Sequence, residues 1–95
     1  MKNVLKLVLK DVWYDKIDSG LKTHEYREYK PFWTKRLIPL DRYNLVEFQK
    51  AYRKNAPKML FKIRAIHILK DVIIKDLGME KPGSIFDIEL GERCN

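Results

Sequence analysis

The chain has 95 residues, of which 45% are hydrophobic and 35% are charged, with only four Gly and four Pro. This composition predicts one folded domain over residues 1–95 and excludes the disordered, collagen-like and low-complexity classes. The formal net charge of +7 favours an acidic partner such as nucleic acid.

The cysteine and histidine content bounds the chemistry further. A single cysteine, Cys94, excludes an intrachain disulfide and a four-cysteine zinc site. It does not share a ligand-type spacing with His24 or His67, so we predict neither a metal nor another cofactor. No apolar run reaches the roughly 18 residues that a membrane span needs. These features together predict a cytoplasmic protein that has no membrane association.

Positive charge is concentrated in the middle of the chain. Residues 22–64 contain twelve Lys or Arg and four acidic residues, a net charge of +8, whereas the rest of the chain carries −1. Eight aromatic residues are interleaved with these charges. Interleaved basic and aromatic side chains favour single-stranded nucleic acid as a partner, although similar charges also keep small proteins soluble.

The first half of the chain predicts strand, helix, strand and helix in turn. Alternating apolar residues predict a strand over residues 4–10. Asp11 is a suitable N-cap for a helix that ends near Gly20, which can take the left-handed conformation. Alternating polar and aromatic residues predict a second strand over 22–29. A short helix with an inward-facing aromatic pair should begin at Pro31.

The second half predicts three more strands, over residues 43–51, 59–70 and 85–90. The alternation in the longest of them assigns His67 to an apolar face, as a packed residue. Residues 72–77 fit either a strand or a helical turn. The whole pattern predicts an α+β fold, a small mixed β-barrel or curled sheet of about five strands flanked by two or three short helices.

One motif lies where the first helix meets the second strand. Gly20, Lys22, Glu25 and Arg27 occupy positions 1, 3, 6 and 8 of the segment 20–27. This pattern resembles the signature of the ASCH domain, a family of the PUA-like superfamily of small β-barrels associated with RNA. The resemblance covers the first strand, the first helix, the motif and the aromatic turn that follows. It implies a PUA-like barrel with a cleft, lined by the motif residues, that accepts a nucleotide or a strand of RNA.

The motif residues also suggest a chemistry of their own. Glu25 and Arg27 share one face of the predicted strand, so the guanidinium can hold the carboxylate as an acceptor for base amino groups or ribose hydroxyls. Arg27 can alternatively bind a phosphate, and the same pair could be an ordinary ion pair on a polar face. Lys22 is expected at the rim, where its ammonium can meet a phosphate or, if desolvated, act as a base.

Further candidate ligand contacts lie close to the motif or in the basic middle segment: Thr23, Trp33, Arg36, Arg53 and Lys54. Trp33 either packs in the core or lines the pocket, and the loop that carries Arg53 can close over a bound strand. The sequence leaves open whether Glu47 or Glu89 joins the site.

An enzyme is the alternative to a binding domain. Some ASCH proteins remove the acyl group from 4-acetylcytidine with a lysine, a threonine and a glutamate, so the resemblance also suggests a hydrolase acting on a modified nucleoside or on RNA. Lys22 matches the lysine, but Glu25 stands where that branch has its threonine nucleophile, and a carboxylate would give a labile anhydride. Thr23 is expected on the other face from Lys22, and His24 on the other face from Glu25. A module that binds an acidic protein is a third possibility.

Overall fold

The structure is a computed structural model that describes residues 3–95. It contains five strands, two α-helices and one short 3-10 helix. In chain order these are β1 (Val4–Leu9), α1 (Asp11–Asp18), β2 (His24–Glu28), α2 (Pro31–Leu37), β3 (Leu45–Lys50), β4 (Lys58–Val72), the 3-10 helix (Lys75–Leu77) and β5 (Gly83–Arg93).

The strands form a single mixed sheet in the order β1-β3-β4-β5-β2. β1 runs parallel to β3, and every other neighbouring pair is antiparallel. The predicted α+β class is therefore confirmed. β1 and β2 are the two edges of the sheet, so it is open where the sequence predicted a barrel, and closure between those edges is not shown among the described strands.

The core follows from strand alternation. Leu5, Leu7 and Leu9 are buried on one face of β1, as the sequence predicted, and they belong to the same cluster as Phe48 of β3 and Phe86 of β5. Burial of such side chains stabilises the folded state by about 1.5–3 kcal/mol each. No helix within residues 3–95 is both long and apolar enough to cross a membrane.

Helix α1 begins one residue earlier than its predicted cap implies. Lys10 is the N-cap, with extended backbone and no capping side-chain bond, and Asp11 is already helical. The prediction of Asp11 as the N-cap was wrong: its carboxylate forms an ion pair with Arg53 and does not cap the helix. The predicted end is confirmed, since Gly20 has a φ of 84°, a left-handed conformation that glycine adopts without a steric penalty. Tyr14 lies on the buried side of α1.

Strand β4 departs from simple alternation. Met59 is buried near its start and Ile66 further along, so the buried parity changes from odd to even. The pairing with β5 shifts register around Ile63, and such a bulge moves the residues that follow to the opposite face. His67 is consequently exposed and bonds Glu89, and its predicted packed position was wrong.

The ambiguous segment over residues 72–77 resolves into two parts. β4 ends at Val72, and residues Lys75–Leu77 form the 3-10 helix. Gly78 then ends this turn with a left-handed φ of 66°. This turn contacts β2 and so reaches the motif segment.

Candidate functional site

An open cleft of about 560 Å³ lies between the edge strands β1 and β2. Helix α2 and the 3-10 helix complete its walls. Its lining residues are Lys6, Leu7, Val8, Leu9, Lys10, Trp13, Glu25, Arg27, Phe32, Trp33, Arg36, Tyr52, Asp76 and Leu77. We refer to this space as the cleft.

A buried ion pair forms the β2 wall of the cleft. Glu25 is only 4% exposed, and Nη1 of Arg27 donates a short hydrogen bond to its Oε2. The same Nη1 donates to the main-chain oxygen of Tyr26 at 3.0 Å. The guanidinium carbon of Arg27 lies 5.2 Å from the ring centroid of Trp33, within cation–π range. Three contacts therefore hold this guanidinium in one orientation.

The pair keeps unused hydrogen-bonding capacity. Among the described contacts, Oε1 of Glu25 accepts no hydrogen bond, and the Lys22 ammonium lies 3.7 Å from it. Arg27 has five N–H donors, and among the described contacts both of its bonds use Nη1. A ligand in the cleft can therefore donate to Oε1 and accept from Nη2 or Nε.

Lys22 does not stand at the rim of the cleft, where the sequence predicted it. Its side chain is 9% exposed, with Nζ 2.7 Å from Oδ2 of Asp76 and 3.7 Å from Oε1 of Glu25. The ammonium also lies 4.5 Å from the ring centroid of Tyr26. Lys22 precedes β2, so strand alternation does not dictate its direction. Its role is to tie the 3-10 helix to the Glu25 carboxylate.

A smaller side pocket of about 300 Å³ adjoins the cleft and shares Trp13 and Asp76 with it. Lys22 and Thr23 line this side pocket rather than the cleft. His24 lines it too, and its Nδ1 lies 2.7 Å from Oδ1 of Asp87. Thr23 is thus separated from the ion pair with which the sequence grouped it.

Tyr26 lines the side pocket and has a raised pKa. Burial raises the pKa of its phenol above the usual value of 10.0, and the nearby Asp87, Asp76 and Glu25 carboxylates raise it further. A group with this pKa remains a neutral hydrogen-bonding phenol at physiological pH.

Helix α2 supplies the aromatic and basic rim of the cleft. Trp33 packs partly against the core and also lines the cleft, and its contact with a ligand stays a prediction. Phe32 is 57% exposed, which contradicts the expected inward-facing pair. Its ring meets Trp33 edge to face at 4.8 Å, and the Arg36 guanidinium lies 4.4 Å from its centroid.

The loop after β3 contributes a residue that the sequence did not single out. Arg53 and Lys54 do not line the cleft: Arg53 pairs with Asp11 at the start of α1, and Lys54 is exposed. Their neighbour Tyr52 lines the cleft with 89% of its surface exposed. The side chain by which this loop lines the cleft is therefore aromatic rather than basic.

The two glutamates left open by the sequence lie outside the cleft. Glu89 of β5 bonds His67 at 3.2 Å on the outer face of the sheet, and Arg64 is 3.7 Å from it. Glu47 of β3 is the register partner of Lys6 and does not line the cleft.

Several residues that line the cleft have no feature in the neighbouring sequence that would predict a place in the site. Lys6, Lys10, Trp13 and Tyr52 reach the cleft because β1, α1 and the β3–β4 loop meet there. Asp76 lies in the segment whose secondary structure the sequence left ambiguous. Within the described part of the chain, no group of three or more His, Cys, Asp or Glu is arranged to hold a metal ion.

Comparison of the chain with family models, with curated proteins and with solved structures finds no match.

Proposed function

We propose that the protein is an ASCH-type, PUA-like domain that binds RNA or a nucleotide in the cleft. The observation that carries this proposal is the buried Glu25–Arg27 pair at the cleft wall, in which Oε1 of Glu25 accepts no described hydrogen bond and the described bonds of Arg27 use only Nη1. Nucleobases and ribose offer donors and acceptors together, so one ligand can satisfy both groups.

The rim supplies the other two interactions that an unpaired nucleotide needs. Trp13, Trp33 and Tyr52 line the cleft and give aromatic surface for base stacking, worth about 1–3 kcal/mol per base. Lys6 and Arg36 line it as well and place positive charge where a phosphate can bind. The net charge of +8 over residues 22–64 adds a long-range attraction for a polyanion.

Tryptophan fluorescence gives a direct binding assay. The chain has two tryptophans, and both Trp13 and Trp33 line the cleft. We expect short single-stranded RNA to quench their emission and to raise the melting temperature. A chain whose emission and melting temperature are both unchanged by RNA and by nucleotides would contradict the proposal.

Two neighbouring cations on α2 provide a matched pair of variants. Arg36 lines the cleft and Lys35 does not, although both are exposed on the same helix. We expect Arg36→Gln to weaken RNA binding severalfold and Lys35→Gln to have a much smaller effect. If about four phosphates are neutralised, the log–log dependence of affinity on salt has a slope near −3, and Arg36→Gln lowers its magnitude by about 0.7. Equal effects of the two variants would assign binding to diffuse charge rather than to the cleft.

One contact favours the hydrolase as a second candidate. Nζ of Lys22 and Oε1 of Glu25 are 3.7 Å apart, so the two proposed catalytic residues are adjacent. However, Nζ of Lys22 donates to Asp76, whereas a general base must accept a proton. Turnover of an acylated cytidine by the wild-type protein, with loss of turnover in Lys22→Met, would establish the enzyme.

A further inference from the structure

The cleft exposes main-chain groups of β1 as well as side chains. The main-chain oxygen of Leu9 accepts from Ala51 N at 2.8 Å, and that of Asn3 accepts from Leu45 N at 3.2 Å. Because alternate residues of a strand direct their N–H and C=O to opposite sides, the odd-numbered residues of β1 pair with β3. The N–H and C=O of Lys6 and Val8 therefore face the other edge, where no described strand pairs with them.

This free edge opens into the cleft. The lining includes the unbroken run of residues 6–10. A strand that presented only one face would contribute every second residue, so an unbroken run indicates that the edge itself forms the wall.

One main-chain acceptor on the facing edge of β2 is already occupied. Leu90 N donates to Thr23 O at 3.0 Å and Tyr29 N donates to Ser84 O at 3.2 Å, so the odd-numbered residues of β2 pair with β5. The main-chain groups of Tyr26 lie on the opposite edge of β2, where Arg27 donates to the Tyr26 carbonyl. Tyr26 does not line the cleft, whereas Lys6 and Val8 of β1 do, so we take the main-chain groups of β1 as those open to a ligand.

We propose, on the basis of the proposed function, that the free edge of β1 reads the base of an unpaired nucleotide through the main-chain N–H and C=O of Lys6 and Val8. Each of these residues offers one donor and one acceptor side by side, which matches the adjacent acceptor and donor on the pairing edge of a nucleobase. The Lys6 side chain adds positive charge beside these groups for the phosphate. Since the pairing edge of the base is used by the protein, the ligand must be single-stranded or a free nucleotide.

Uridine is the sharpest probe because its base has a single N–H donor, at N3. We compare a short oligouridylate with the same oligomer built from 3-methyluridine, which keeps the phosphates and the stacking surface. With wild-type protein we expect the methylated oligomer to bind about tenfold more weakly, since its methyl group removes a hydrogen bond and leaves a main-chain acceptor unpaired. The readout is quenching of Trp13 and Trp33.

Proline at position 8 tests the protein side. Val8→Pro removes one N–H that β3 does not use, and proline is tolerated at such edge positions. Val8→Ala is the matched control, since it shortens the side chain and keeps the N–H. We expect Val8→Pro to bind oligouridylate about fivefold more weakly than Val8→Ala, with circular dichroism showing that both are folded. If Val8→Pro does not fold, the methylated oligomer with wild-type protein still tests the proposal, because equal binding of the two oligomers would overturn it.

The outcomes separate the two proposals. Equal affinity of wild-type protein for the two oligomers would overturn the proposal that β1 reads the base, but it would leave the proposal of RNA binding in the cleft intact. No binding of either oligomer, or of any nucleotide, would overturn both.

Discussion

Replacement of Glu25 by glutamine tests the ion pair on which the site is built. Glutamine keeps the shape of the side chain and one acceptor oxygen but removes the negative charge. Glu25 and Arg27 have side-chain exposures of 6% and 16%, so their pair is intermediate between a surface pair, worth about 0–1 kcal/mol, and a buried pair whose disruption costs about 3–5 kcal/mol. The loss also leaves Lys22 with a single carboxylate partner, Asp76.

We therefore expect Glu25→Gln to lower the free energy of unfolding by about 2 kcal/mol, from the midpoint of those two limits. For a domain of this length, that corresponds to a fall in melting temperature of about 10 °C. The assay is thermal and urea unfolding followed by circular dichroism, at neutral pH and without ligand.

Glu28→Gln is the control on the same strand. The Glu28–Lys30 pair at 3.0 Å is largely exposed, so its loss should change the free energy of unfolding by no more than about 0.5 kcal/mol. If Glu25→Gln is as mild as Glu28→Gln, the Glu25–Arg27 pair does not organise the cleft wall, and the reasoning fails. A double-mutant cycle of Glu25→Gln with Arg27→Gln should then also show no coupling, whereas we expect at least about 1 kcal/mol.

Three further predictions concern the rest of the fold. Phe48 is fully buried, so Phe48→Ala should cost about 3–5 kcal/mol in urea unfolding, and a cost below 1 kcal/mol would contradict its place in the core. His67→Ala should change the free energy of unfolding by less than about 0.5 kcal/mol, because His67 is exposed. A loss of stability above about 2 kcal/mol would instead indicate that His67 is packed. The pKa values of Tyr14 and Tyr26 are raised, chiefly by burial. A raised pKa in the folded state gives stability that is present below pH 10 and is lost as pH rises through the folded value. Tyrosinate absorbance should therefore show a late-ionising component that decreases in Tyr26→Phe and again in Tyr14→Phe; a titration curve that neither variant changes at its late end would refute this.

Local patterns were enough to predict most elements of the fold. The alternation of Leu5, Leu7 and Leu9 predicts β1 because one buried face requires a period of two, and Gly20 predicts the end of α1 because glycine adopts a positive φ freely. The exposure of His67 could not be predicted in this way. It depends on a register shift between β4 and β5, which arises from pairing with a strand about 20 residues away rather than from the residues around His67.

The residues of the candidate site also fall into a locally predictable group and a group set by long-range contacts. Glu25 and Arg27 are two residues apart on one strand, so their contact follows from the pleat alone. The Lys22 side chain is directed away from the predicted rim by its bond to Asp76. The sequence could not predict this orientation, because Asp76 is 54 residues away in the chain. Tyr52 and Trp13 line the cleft because of how whole elements are arranged. No pattern in their own segments of the sequence predicts that arrangement.

A hydrogen bond made by Arg27 helps to explain why β1 and β2 do not pair with each other. Two edges that face each other usually pair, because unpaired N–H and C=O groups attract another strand. Here the guanidinium of Arg27 occupies the Tyr26 carbonyl on the β2 edge, while Glu25 and Trp33 hold it in place. That contact occupies one of the main-chain acceptors that pairing with β1 would need, and it therefore disfavours closure of the sheet between β1 and β2. Lys6 protects the opposite edge in a different way, since a charged lysine on a free strand disfavours pairing with another chain.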